Sequence, residues 1–73
     1  MPSIDMARTG ENIALLRKRN KLTVKDVQNA LGFNHPTAIF RWQRGETLPS
    51  LDNLVILADL FHVAISDIIV VNR

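Results

Sequence analysis

Apolar residues recur at helical rather than alternating spacing along most of this chain, and polar punctuation divides them into five segments. Thr9 can cap the first helix, whose apolar face is Ile13, Leu16 and Leu15, with Arg17, Lys18 and Arg19 at the end where cations suit the helix dipole. Asn20 and Lys21 form the connection, and Leu22 anchors it. Thr23 followed by Asp26 three residues on is a capping box, and Val24, Val27, Ala30 and Leu31 then share one face of a second helix that stops at Gly32. After a turn of Gly32, Phe33, Asn34 and His35, Pro36 suits the first position of a third helix. Ala38, Ile39 and Trp42 repeat inward along it, and Gly45 ends it. Ser50 with Asn53 begins a fourth, with a stripe of Leu51, Leu54, Val55, Leu57, Ala58 and Phe61 broad enough to be the centre of a small core, closed by His62.

The remaining apolar segment, Val63 to Ile69, reads as a short fifth helix, although Ala64 has no side chain to cap it. Both ends of the chain read differently. Met1 to Arg8 has no helical period and is expected as an extended lead-in, with Ile4 and Met6 alternating around Asp5. Ile68, Ile69, Val70 and Val71 are four successive β-branched residues that favour strand geometry. Whether they pair with Ile4 to Met6 or with a second copy stays open at this level. The expected fold is all-α: a compact five-helix bundle forming one domain over residues 1–73, its core about 9–69, with short extended segments at the two ends.

Composition narrows the chemistry. A chain of 73 residues buries only roughly 60% of its unfolded surface, so a multi-step active site would be crowded. There is no cysteine, which removes disulfides, thiolate metal sites and cysteine nucleophiles. The two histidines, His35 and His62, have no carboxylates at metal-ligand spacing, paired carboxylates are lacking, and each of the three glycines has a local reason as helix start, turn or stop. An enzyme is therefore not expected, nor a metal, a cofactor or a small-molecule ligand. The apolar runs LVILA and AISDIIVV fall far short of the roughly 18 residues of a membrane span, and no apolar leader precedes the charged start, so a soluble cytoplasmic protein is expected.

The net charge is only +2, but it is divided unevenly. Residues 1–45 hold eight Lys or Arg against Asp5, Glu11 and Asp26, a net of +5, whereas residues 46–73 hold Arg73 against Glu46, Asp52, Asp59 and Asp67, a net of −3. A molecule basic on one side fits a polyanion such as a nucleic-acid backbone.

The stretch LTVKDVQNALGFNHPTAIFRWQRG, two capped helices about a glycine turn, resembles the helix-turn-helix of the lambda-repressor/Cro-like (XRE) family of DNA-binding proteins. The flanks extend the resemblance. TGENIALLRKRNK is similar to the family's first helix, with its Leu-Arg pair at Leu16 and Arg17, and GETLPSLDNLVILADLFHVAISDII to its Gly-x-x-x-Pro-Ser-x-x-Asn-Leu pattern and two closing helices. The likeness implies binding of double-stranded DNA, with Pro36, Thr37, Phe40 and Arg41 as base-contact candidates in the major groove. Arg41 is the best reader, because its fork can donate two hydrogen bonds to guanine O6 and N7. Thr23, Lys25, His35 and Arg44 are phosphate-contact candidates. It further implies a bacterial transcriptional regulator, a repressor sooner than an activator. One such module presents little surface to DNA, so a homodimer is expected, through the apolar tail 68–71 or through the fifth helix with the loop before it; the tail is favoured, because four successive β-branched residues are hard to bury in a core already filled by the fourth helix. From another class, the same helix-three face with its Phe40 would serve a protein–protein module of the antitoxin or adaptor kind.

Four features depart from the family pattern. Val24 stands where a phosphate-bonding Gln is usual, Gln28 where a small residue is usual, and Gln43 where a Glu pairs with the helix-one Arg, here Arg17. The turn also carries one extra residue between Gly32 and Gly45. These changes are expected to be coordinated, the longer turn making room for Gln28, with Arg17 and Gln43 joined by a hydrogen bond.

Overall fold

The computed structural model describes residues 1–73 and contains α1 (Met6–Arg19), α2 (Val24–Leu31), α3 (Thr37–Gln43), α4 (Leu51–Phe61) and α5 (Ile65–Ile68), with strands β1 (Ser3–Ile4) and β2 (Val71–Asn72). Helix α1 packs on α3 and α5, and α2 on α3 and α4. Ile13, Leu16, Val27, Ile39, Trp42, Leu54, Leu57, Ala58, Phe61 and Ile68 form one buried cluster to which every helix contributes. The outer positions of the expected faces are not part of it. Leu15, Leu51 and Val55 are 54%, 70% and 54% exposed, and Ala30 is exposed as well.

Local chemistry accounts for the helix starts. Thr23 Oγ1 accepts from the Asp26 amide at 3.0 Å and Asp26 Oδ2 from the Thr23 amide at 2.8 Å, so both halves of the capping box are made. The Thr23 amide, and next its side chain, hold the Asp26 carboxyl below its ordinary range. Ser50 caps α4 through the Asn53 amide at 3.2 Å. At α5 only the return half exists, from the Ala64 amide to Asp67 Oδ2 at 3.0 Å, and the helix is correspondingly shorter than Val63 to Ile69.

The first helix begins earlier than the sequence implied. Asp5 caps it by accepting from the Arg8 amide at 2.9 Å, and Thr9 lies fully buried in the second turn. There its hydroxyl accepts from the Val70 amide at 2.9 Å, while Asn12 Nδ2 donates to the carbonyls of Asp67 and Ile68 at 2.8 and 2.9 Å. These bonds tie the C-terminal segment to α1. They also carry Ser3–Ile4 into antiparallel register with Val71–Asn72, so the lead-in is neither free nor frayed. Ile68, expected to be too much for a core filled by α4, is wholly buried, and Ile69 and Val70 are half-buried.

All four longer helices end in the same way. At Lys21, Gly32, Gly45 and His62 the backbone turns left-handed, with φ of 58°, 73°, 76° and 58°. Each of these residues donates to the carbonyl three back, and the next residue donates to the carbonyl five back, which satisfies two of the helix's last carbonyls. The residue after the left-handed one is ordinarily apolar and folds onto the helix. Leu22, Phe33 and Val63 follow this rule and pack on the core. After Gly45 the residue is Glu46.

Gly10 is not a helix start. It is buried inside α1 where that helix crosses α3, and a β-carbon there would run into the Trp42 carbonyl oxygen and lie 2.8 Å from that of Gln43. Only a residue without a side chain lets the two backbones approach this closely.

Candidate nucleic-acid interface

Ile39 and Trp42 are buried and Ala38 packs against the same core, which fixes the rotation of α3 about its axis. Thr37, Phe40, Arg41 and Arg44 then fall at i, i+3, i+4 and i+7 and are all exposed, making one outer face. Phe40 is 41% exposed, a large aromatic left in solvent. Pro36 precedes this helix rather than occupying its first helical position; it is half-buried and offers no N–H, so it can only present apolar surface. Lys25 is exposed on the first turn of α2, and His35 is exposed in the turn. The Thr23 hydroxyl already accepts the Asp26 amide, which leaves its proton as the one group it can donate to a phosphate.

The longer turn is held by the residue that departs from the family pattern. Gln28 is only 5% exposed, and its Nε2 donates to the Phe33 carbonyl at 3.1 Å while the Phe33 amide donates to the Gln28 carbonyl, also at 3.1 Å. Phe33 in turn meets Trp42 edge-on, ring centroids 5.9 Å apart. The side chain that fills the extra space thus fastens the turn, and through Phe33 and Trp42 links α2 to α3. Gln28→Ala removes the donor and leaves the Phe33 carbonyl unpaired, at about 1–3 kcal/mol. Melting should fall by roughly 4–8 °C per kcal/mol for a domain of this size. An unchanged melting temperature would show the turn to be held by other means.

Arg17 bridges the base of the same helix. Its Nε donates to Gln43 Oε1 at 3.1 Å and its Nη1 to the Leu22 carbonyl at 2.8 Å. The guanidinium is therefore already aimed, and Gln43→Glu would add charge to an existing hydrogen bond instead of building a new one. We expect stability to rise by about 0.5–1 kcal/mol, an increment that shrinks with salt. A melting temperature that drops in Gln43→Glu would count against the contact.

One residue of the interface was not foreseen. Glu46 forms ion pairs with both Arg44 and Arg41, the latter from Oε1 to Nε at 3.8 Å, and its amide donates to the Arg41 carbonyl at 3.0 Å. Its carboxyl is held below the usual range, first by the hydrogen bond from Arg44 and then by the charges of Arg44 and Arg41. The legible signal was its place just after the helix-ending glycine, where the turn folds the next side chain back over the helix.

The helix-turn-helix family model matches residues 13–68, which takes in all five helices apart from the first turns of α1. The chain belongs to the helix-turn-helix family, of the lambda-repressor/Cro-like (XRE) type. Membership places it among DNA-binding regulators. Two solved structures share the fold of this helix-turn-helix chain. The restriction-modification controller protein C.AhdI from Aeromonas hydrophila superposes with a TM-score of 0.77 at 20% identity, over 88% of this chain and 96% of the other. The DNA-binding domain of BldD does so with 0.72 at 17% identity, over 89% and 93%. No curated protein matches the chain in sequence. No helix is long and apolar enough to cross a membrane.

Proposed function

We propose that this helix-turn-helix chain binds a specific double-stranded DNA sequence through the outer face of α3 and regulates transcription, as a repressor. The observation that carries the reading is the single exposed face of Thr37, Phe40, Arg41 and Arg44 on a helix whose opposite face is locked into the core. Arg41 supplies the base contact, with Thr37 and Phe40 against thymine methyl groups. Lys25, His35, Arg44 and the Thr23 hydroxyl supply phosphate contacts that set the register. The fold neighbours are described as a controller protein and a DNA-binding domain, which agrees with this use of the scaffold. Repression follows most directly, because occupancy of a site is all it requires.

Selection of bound sequences from a random duplex library, followed by a salt titration on the selected site, tests the proposal. Phosphate contacts displace counterions, so affinity should fall steeply with salt. Absence of an enriched sequence, or an affinity indifferent to salt, would shift the reading to a protein-binding face.

The chain is proposed to act as a homodimer. One module of this size buries only about 600–1,000 Å² on DNA, too little to discriminate a genomic site, whereas two copies on a palindrome read half-sites spaced by roughly 34 Å. The tail is a poor seam for such a dimer, since β2 pairs with β1 and Ile68 and Ile69 lie against the chain's own core. Leu51 and Val55, one turn apart on α4 and exposed, are the better surface for a second copy. Truncation at 68 would strip buried Ile68 from the core, so the clean test is the double substitution Leu51→Glu and Val55→Glu. Sedimentation should show a concentration-dependent dimer for the natural chain and a folded monomer for the variant, with lost cooperativity on the palindrome. A natural chain that stays monomeric at high concentration would exclude the dimer.

A further inference from the structure

We propose that Glu46 is a specificity determinant of the recognition helix, a fixed anion that opposes capture of Arg41 and Arg44 by phosphates while leaving Arg41 able to read a guanine edge. The inference rests on the DNA-binding reading above. Three of the four left-handed helix ends are followed by an apolar residue packed on the core, and the exception is the end of the helix that carries the exposed arginines. Gly45 and Glu46 donate to the carbonyls of Trp42 and Arg41 at 3.0 Å each, so the backbone of Glu46 is pinned and its carboxylate has only its own side-chain torsions with which to leave. It lies beside both guanidinium groups on the protein surface, where all three side chains are about half exposed, with relative accessibilities of 50% for Arg41, 58% for Arg44 and 47% for Glu46.

The two kinds of DNA contact respond differently to such a neighbour. A phosphate that reaches Arg44 or Arg41 brings its negative charge within a few ångströms of the Glu46 carboxylate, well inside a Debye length of about 10 Å at 0.1 M salt. At Arg44, a phosphate contact in every complex, that repulsion is common to all duplexes, whereas at Arg41 it falls only on complexes in which a phosphate takes the guanidinium in place of a base. Guanine O6 and N7 are neutral acceptors and take the two terminal nitrogens of the arginine fork. Glu46 approaches Arg41 at Nε, so the same carboxylate can brace the guanidinium from behind while the Nη1 and Nη2 edge meets the base. Complexes held by phosphates alone are therefore penalised more than the one in which Arg41 reads its base. This is discrimination through a repulsive element built against the competing partners.

The experiment compares the natural chain with Glu46→Gln on two duplexes of equal length, the selected site and a scrambled one, across a range of salt. Glu46→Gln should bind the scrambled duplex about 3- to 10-fold tighter at 0.1 M salt, with a log–log salt slope steeper by up to about 0.9. The selected site should tighten by less than about twofold, so the ratio between them falls. Glu46→Leu, which installs the residue type found after the other three helix ends, should act alike and separates loss of charge from loss of hydrogen bonding. The backbone bonds of the turn come from the Gly45 and Glu46 amides, which both variants keep, and a circular dichroism melt checks that they remain folded. Equal tightening on both duplexes would overturn the inference, leaving Glu46 a mere contributor to overall charge. So would unchanged affinity for the scrambled duplex. A natural chain that binds neither duplex would remove the DNA reading first and this inference with it, an outcome visible before any variant is compared.

Discussion

Gly10→Ala is expected to cost about 3 kcal/mol, the upper end of overpacking penalties, and to lower the melting temperature by roughly 12–24 °C. The added carbon would meet backbone, the carbonyl oxygens of Trp42 and Gln43, so no rotamer change relieves it. Helices α1 and α3 must separate instead. Separation would draw Trp42 from the core and move Gln43 away from Arg17, disturbing the anchor and the bridge that orient the exposed face. Loss of DNA binding should accompany the loss of stability even at temperatures where helix content survives. Thermal melts by circular dichroism, run beside binding at low temperature, check both. Alanine tolerated without loss would mean that the close crossing is not required.

Arg41→Ala is expected to relax base preference at one position of the site and to weaken the preferred duplex by about 1–3 kcal/mol, with little effect on a scrambled one. Arg44→Ala should weaken all duplexes similarly and reduce the salt slope by about 1, because phosphates carry no sequence information. The two arginines lie on one face and share the same carboxylate partner, so their separation by sequence logo and salt slope is a stringent test. A logo unchanged by Arg41→Ala would place base readout on another element. Thr37 and Phe40 would then be the first side chains to replace.

The exposed face of α3 was legible in the chain because exposure depends on local periodicity, whereas its assignment to DNA rests on the family resemblance. Once Ala38, Ile39 and Trp42 are taken as inward, helical geometry sends Thr37, Phe40, Arg41 and Arg44 outward together, as the structure has them. Gln28 was visible as a departure, but its hydrogen bond to Phe33 was not, since the direction of a buried amide depends on where the turn backbone passes. Glu46 was counted only as a negative charge. Its neighbours are set by the helix-ending turn and by which side chains that turn folds back to meet.

Sequence alone determined the helices that carry their own stop and start signals. Thr23 with Asp26, Gly32, Ser50 and His62 satisfy or terminate backbone groups within a few residues, so no distant contact is needed to place them. Tertiary structure decided what depends on partners far along the chain. Thr9 looked like a cap and is instead buried 61 residues from Val70, the group it bonds. Gly10 looked like local punctuation and is the crossing point of α1 and α3. Residues 68–71 looked surplus to the core, yet Ile68 completes it and Val71 pairs with Ile4. The physical reason is common to all three: a residue type records what it can bond or bury, and only the assembled fold supplies the distant group that it meets.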